Sequence, residues 1–471
     1  MGTSKKELRI REIALEILND ITENGSNSNL VLSNYFNKYT LDINDEIFIT
    51  SLVLGTLRLK VSIQYAIEVP KKIAKKISPC IMNILRLGVY EHFYGDVIPN
   101  PDESFTSYTG NEPYRIEKPK CKYINEYVRI AEKCGQRSGA LVVEAVLSRL
   151  CGLLWQYFND RSFEAELLSS KYSFPIHLVD KWLNNYGSDF TEDLLKKLNT
   201  PAKLCIRPNS LKISKNELMD VLINEEIDFE EGFITDEALL INSTQPLDTL
   251  ESFKKGYYQV QDESSILVSK ILNPRSGENV LEVCVGTQGD KTTHCAQLMN
   301  NIGKILTVDI NPQKLCLTRQ NCCRFGATIV DLMEYDCLVY NKDWNNVFDK
   351  VLVSAPSYEY GIIRRNPEKK YSSDYYNLSK LVDIQSNLLR NSSNYLKCGG
   401  VLVYYTNTFE VEENLLSINC FLENNKDFVL DEIVEVDTRK FDQPPQQGFL
   451  QIFPNACLMD GCFIAKMRRK S

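Results

Sequence analysis

The sequence predicts an α/β protein. It should carry a doubly wound Rossmann-like sheet in its C-terminal half, an all-α domain at its N-terminal side and a small α+β segment between them. Three observations lead there. From about residue 256 onward, short apolar runs alternate with helical stretches. Residues 7 to about 155 carry apolar positions at helical spacing almost throughout. The chain has 471 residues, which at roughly 150 per domain is enough for about three packed units. The expected division is 1–155, 156–255 and 256–471.

In the first part, Leu8, Ile10, Ile13, Ile17, Leu18 and Ile21 recur at helical spacing, and Asn24-Gly25 stops the run. DEIFITSLVLGTLRLKVSIQYAIE, SPCIMNILRLGVYEHFY and INEYVRIAEKCGQRSGALVVEAVLSRL are further helical stretches. The segment from about 98 to 122, rich in Pro, Gly, Ser and charge, is expected to be a long exposed loop. In the middle part, YSFPIHLVDKWLNNYG predicts a helix after Pro175. AKLCIRPNSLKI then predicts a strand and turn, KNELMDVLINEE a helix and FITDEALLI another strand. Farther on, NVLEVCV, KILTVDI, ATIVDLMEY, KVLVSAP and GVLVYYT are five candidate strands, with KTTHCAQLMNN and PQKLCLTRQNCCRF as intervening helices. Such alternation places a ligand at the carboxyl ends of the strands.

Composition narrows the function classes. Lys+Arg 54 against Asp+Glu 62 gives a net charge of −8, so nucleic-acid binding would need a local basic face rather than bulk charge. No apolar run reaches a membrane span and MGTSKKELRIRE has no apolar signal core, which predicts a cytoplasmic protein without a membrane partner. The 15 cysteines show no CxxC pair and are expected to be reduced, buried thiols. With three histidines only, His92, His177 and His294, no metal site or His-dependent triad is expected.

The sharpest local signal is NVLEVCV running into GTQGDKTTH. Gly286 and Gly289 let backbone amides approach a ligand between strand and helix. The next strand ends in Asp309, about 20 residues on, where a carboxylate suits the two hydroxyls of a ribose. An ordinary α/β turn with a helix-capping Asp is the plainer reading of the same residues.

Over nearly its whole length the sequence resembles the RsmB-type RNA cytosine-carbon-5 methyltransferases. LVLGTLR and ILRLGVYEHFY resemble the helices of the family's NusB-like domain, and YSFPIHLVDKWLNNYG and IRPNSLK its middle segment. GYYQVQDESS, VLEVCVGTQGDKTTH, VDINPQKL, SAPSYEYGIIRRNPEKKY, VLVYYTNTFEVEENL and GFLQIFPNACLMDGCFIAK follow in the family's order. The resemblance implies a sheet that binds S-adenosylmethionine and parts that bind RNA, with ribosomal RNA as partner and a monomeric protein. It assigns Cys284, Gly286, Gly289, Lys291, Asp309, Asp336 and Ser354 to the cofactor pocket, and Arg207, Asn209, Arg364 and Arg365 to RNA. The cluster Lys71, Lys72, Lys75 and Lys76, at helical spacing, is a further candidate phosphate stripe.

The departures bear on chemistry. The family's thiolate adds to carbon 6 of cytosine from a Tyr-Ser/Ala-Thr-Cys-Ser motif; here the motif reads Tyr404-Tyr405-Thr406-Asn407-Thr408, with Asn407 at the nucleophile position. The second family cysteine, in Asp-Ala-Pro-Cys, is replaced by Ser357 in Ser354-Ala355-Pro356-Ser357. An amide cannot add to carbon 6, and a hydroxyl needs an adjacent base that no nearby histidine supplies. The cofactor loop is one residue longer than the family's Cys-Ala-Ala-Pro-Gly-Gly-Lys-Thr, lacks its Pro and adds Asp290. These changes predict an RNA-binding pseudoenzyme; the alternative is a methyltransferase using another nucleophile or target atom. Cys420, at helical spacing with Leu415, Leu416 and Phe421, is expected to pack in the core.

Overall fold

The computed structural model describes residues 5–67, 77–94, 123–134, 137–150, 164–242, 246–286, 288–375, 377–437, 447–457 and 459–470. The 98–122 segment and the Lys71–Lys76 cluster lie outside the described residues. The chain divides into two compact units, Met1–Pro201 with Ile363–Tyr375, and Ala202–Ile362 with Tyr376–Ser471. The first unit thus extends past residue 155 and takes back a short segment from far along the chain.

The first unit is helical. Helices Lys5–Asn24, Ile43–Arg58, Pro79–Tyr94, Ile124–Lys133 and Arg137–Leu150 bury their apolar stripes in one core that includes Ile17, Leu18, Leu52, Leu85 and Val143. Inside that core Arg11 Nε donates to Glu91 at 2.8 Å and the Tyr127 hydroxyl donates to the same carboxylate at 2.5 Å. Three helices are thereby tied by one paired charge that would be costly to bury alone.

The returning segment is fastened by polar contacts. Glu368 accepts from Ser28 N at 2.9 Å and Ser28 Oγ at 2.8 Å, and so satisfies the first amide of the helix Ser28–Lys38, which Asn27 caps. The buried Lys370 Nζ donates to Arg58 O (2.9 Å), Ser173 O (3.1 Å) and Asn199 Oδ1 (2.7 Å). Tyr371 OH donates to Leu57 O at 3.1 Å. No sequence pattern announces this segment as part of the helical unit, because its partners lie more than 150 residues away in the chain.

The second unit opens with a four-stranded sheet of order β2-β3-β1-β4. Its strands are β1 (Leu204–Pro208), β2 (Asp228–Glu231), β3 (Leu239–Asn242) and β4 (Tyr258–Val260). FITDEALLI supplies only β3 from its last residues; β2 and β4 were not predicted, being short and partly polar. Since β4 closes this sheet, the small α+β part runs past residue 255.

The larger sheet has the order β10-β12-β9-β8-β5-β6-β7, with β11 paired to β12. It contains β5 (Asn279–Val283), β6 (Lys304–Asp309), β7 (Val330–Glu334), β8 (Phe348–Ser354), β9 (Leu396–Thr406), β10 (Phe428–Leu430), β11 (Phe449–Ile452) and β12 (Cys462–Arg469). The five predicted strands are its parallel part, with β7 at the edge. The antiparallel β10, β11 and β12 make the sheet mixed, and sequence reading missed them. The basic residues near the end of β12 are paired: Arg468 with Asp431 at 2.6 Å and Arg469 with Asp427 at 3.2 Å. No described helix is long and apolar enough to cross a membrane.

Candidate active site

The parallel strands deliver their functional residues to one edge. Cys284 directly follows β5, β6 ends at Asp309, and Asp336 follows β7 by two residues. Burial first, and then the nearby Asp309 and Asp336 carboxylates, push the Cys284 thiol up to about 12. Backbone bonds join the three strand ends: Cys284 N donates to Val308 O at 3.0 Å and Tyr335 N to Asp309 O at 3.1 Å. Asp309 is buried; one oxygen accepts from Asn311 N at 2.7 Å and the other lies 3.3 Å from Lys314 Nζ, which also donates to Val285 O at 3.2 Å. Lys314 was not singled out in the sequence, although it lies one helical turn and a residue beyond Asp309. Beside the acids, Ile310 is 65% and Leu338 43% exposed, two apolar side chains displayed at the same edge.

The loop between β5 and the helix Asp290–Leu298 is shaped by its glycines. A Cβ on Gly286 would come within 2.9 Å of Asp290 Oδ1. Gly289 has φ +62°, and a Cβ there would collide with Thr318 at 2.4 Å. The extra acid is compensated from within. Burial alone would raise the Asp290 carboxyl, but the Lys291 charge, a 2.6 Å bond from Ser265 Oγ and the Arg207 charge hold it below its usual range. Beneath the loop, burial pushes the Glu282 carboxyl up to about 7, against the bond it accepts from Thr292 Oγ1.

Asn407 and Ser357, the residues expected at the two family cysteine positions, also lie in this unit. Ser354 and Tyr405 are register partners between β8 and β9, and Ala355 N donates to Tyr405 O at 3.0 Å. The hydroxyls of Ser354 and Ser357 are buried, and among the described residues neither has a hydrogen-bond partner. The turn they occupy is pinned from outside: Gln385 Nε2 donates to Pro356 O and to Glu413, both at 2.8 Å, and Tyr358 N donates to the Glu413 carboxylate at 3.2 Å. Burial pushes Glu413 up to about 7 despite those bonds. Asn407 O accepts from Gly361 N at 2.8 Å, while its side-chain oxygen accepts from the Tyr405 hydroxyl. The Tyr405 ring faces Lys291 Nζ, 4.7 Å from its centroid, so the aromatic side chain links the cofactor loop to Asn407.

No histidine stands by the serines. His294 Nε2 bonds Glu237 at 2.8 Å, and burial brings that imidazole down to about 4; His92 and His177 belong to the helical unit. Cys420 is exposed rather than packed, because the buried face of its helix is made by Ser417, Ile418 and Phe421. The broader expectation of buried thiols is corrected likewise: Cys134, Cys316, Cys323 and Cys398 are also exposed.

Three of the four residues expected at RNA are buried. Arg207 is fully buried, donates to Thr293 Oγ1 at 3.3 Å, and is brought down to about 10 by burial. Asn209, also fully buried, donates to Gly256 O (2.8 Å) and Phe325 O (2.9 Å). In the helical unit, the buried Arg364 donates to Pro201 O at 2.8 Å, and Arg365 is half-buried.

A mixed sheet of this order, with a glycine loop after its first strand and an acid ending the second, defines a Rossmann-like methyltransferase. Residues 269–468 match the family model for 16S rRNA methyltransferase RsmB/F, residues 174–248 its ferredoxin-like domain and residues 8–101 the NusB family. The chain is 31% identical over 468 residues to the probable ribosomal RNA small subunit methyltransferase B of Bacillus subtilis, covering 99% of this chain and 100% of that one. It is 29% identical over 318 residues to the mouse (Mus musculus) 28S rRNA (cytosine-C(5))-methyltransferase, covering 64% and 40% of the two chains. Among solved structures, that of PH0851 matches with TM-score 0.80 at 22% identity over 100% of both chains. NSun6 from Pyrococcus horikoshii with SFG matches with TM-score 0.55 at 21% identity, over 64% of this chain and 99% of the other. The chain belongs to the RsmB family of S-adenosylmethionine-dependent ribosomal RNA cytosine-C5 methyltransferases.

Proposed function

We propose that this chain binds ribosomal RNA and S-adenosylmethionine but has lost the family's route to 5-methylcytosine. One observation carries the reading: the two cysteine positions hold Asn407, its amide engaged by Tyr405, and Ser357, its hydroxyl buried with no base bonded to it. Neither group can add to carbon 6 of a pyrimidine at neutral pH, since an amide nitrogen is not nucleophilic and an unassisted hydroxyl stays protonated.

The pocket residues fit the cofactor. Asp309 would accept from the ribose hydroxyls, and Ile310 and Leu338 would flank the adenine with Asp336 beside it. The loop at Cys284, Gly286 and Gly289, with Lys291 and Ser354, would border the methionine part. Bound there, S-adenosylmethionine supplies an electrophilic methyl group. This chain's own residues bind and orient it, and Asp290 adds little repulsion because Lys291 and Ser265 already hold its charge.

The reading makes the protein a monomeric, cytoplasmic RNA-binding factor, with Arg365 a better phosphate contact than the buried Arg364. The test is incubation with small-subunit ribosomal RNA and labelled S-adenosylmethionine, alongside calorimetric titration of the cofactor. We expect cofactor binding without 5-methylcytosine; label at carbon 5 of cytosine above a no-protein control overturns the loss of chemistry.

A further inference from the structure

The exposed thiols single out a pair on the helical unit. Cys80 lies in the first turn of the helix Pro79–Tyr94, and Cys134 is the residue that ends the helix Ile124–Lys133. Their sulfurs are 3.8 Å apart although the residues are 54 positions apart in sequence. Cys134 is exposed and Cys80 half-buried, so a soluble oxidant can reach one sulfur and the second lies behind it. The surroundings favour a fixed separation. Asn19 Nδ2 contacts Cys80 Sγ at 3.8 Å, and Lys133, beside Cys134, is ion-paired with Glu12 on the first helix.

We propose that Cys80 and Cys134 are a reversible oxidative modification site, in which a disulfide-class oxidant converts the two thiols into one bond joining the two helices. In the first step the Cys134 thiolate attacks oxidised glutathione, forming a mixed disulfide and releasing one glutathione thiol. In the second, Cys80 attacks the Cys134 sulfur and releases the second glutathione. Two cysteines are oxidised, one glutathione disulfide is reduced to two thiols, and the two protein protons end on them.

A bonded S–S distance is about 2.05 Å, so the sulfurs must close by less than 2 Å, which χ1 rotation at a helix end can supply. Burial, and then Cys80, push the Cys134 thiol up to about 11. The thiolate is therefore scarce at neutral pH, which slows the first attack. Among the described residues, none of the other exposed thiols, Cys316, Cys323, Cys398 and Cys420, makes such a sulfur–sulfur contact; Cys322 and Cys323 are adjacent, but i,i+1 placement on a helix points the two side chains apart.

The test is a titration of the full-length protein with oxidised glutathione, followed by non-reducing peptide mapping. The expected product links the Cys80 and Cys134 peptides and reverts with dithiothreitol, while Cys316 and Cys398 stop at mixed disulfides. In Cys80→Ser, Cys134 should stop at the mixed disulfide with glutathione. Circular dichroism of that variant checks that the helices remain. A mixed disulfide at Cys134 in the parent protein, under conditions that fully modify Cys316, overturns the proposal. So does Cys134 bonded chiefly to another cysteine.

Discussion

The Tyr405 hydroxyl donates to the side-chain oxygen of Asn407, the residue read from the sequence as standing at the family's nucleophile position. Both residues depart from the motif that the sequence resembles, and the two departures are partners of each other. The bond fixes the Asn407 amide, while the ring buttresses Lys291 on the cofactor loop.

Because they are bonded, the two residues should be coupled energetically. Tyr405→Phe should cost about 1 kcal/mol of unfolding free energy, and Asn407→Ala a similar amount. The double variant should cost less than their sum. Urea denaturation of the four proteins measures the cycle; strict additivity would refute the coupling.

The same pair predicts that Asn407→Cys alone gives no 5-methylcytosine. The new thiol would lie against the Tyr405 hydroxyl, and Ser357 would still lack the second family cysteine. Mass spectrometry of nucleosides from treated ribosomal RNA reads the outcome directly.

Asp309 should govern cofactor affinity. Asp309→Ala removes the acceptor for a ribose diol and leaves Lys314 with only the Val285 carbonyl. Calorimetric titration with S-adenosylmethionine should show at least about a tenfold weaker Kd, equivalent to about 1.4 kcal/mol.

Glu282 sets a pH dependence of stability. Its carboxyl is raised from 4.5 to about 7 by burial. The folded chain therefore keeps a proton that the unfolded chain releases, and stability falls as pH rises from about 4.5 to about 7. The loss is on the order of 3 kcal/mol at about 1.4 kcal/mol per unit. Glu282→Gln should reduce that slope and leave the part owed to Glu413, raised to the same value, as followed by denaturation at a series of pH values.

The two neighbouring arginines should separate in function. Arg364→Ala loses a bond to Pro201 O inside the helical unit and should lower stability by about 1–3 kcal/mol. Arg365→Ala should leave the melting temperature nearly unchanged and reduce the salt slope of ribosomal RNA binding by about one. Thermal melts and binding across a salt series distinguish them.

What the sequence by itself determined is what repeats locally or sits in a contiguous motif. The helices of the first unit follow from apolar spacing, and β5, β6, β8 and β9 follow from runs buried on both faces. The order glycine loop, Asp309, Ser354 and Asn407 could be read as a cofactor edge followed by an altered reacting centre. Tertiary structure decided everything that depends on partners distant in the chain. Residues 363–375 join the helical unit because Glu368 finds Ser28 and Lys370 finds three oxygens on other segments. Arg207 and Asn209 turn inward because the end of β1, an inner strand of the small sheet, bonds to Thr293 on the helix Asp290–Leu298 and to the Phe325 carbonyl. Charge and residue type say that a group can contact phosphate. Only packing says whether water, and hence a phosphate, can reach it.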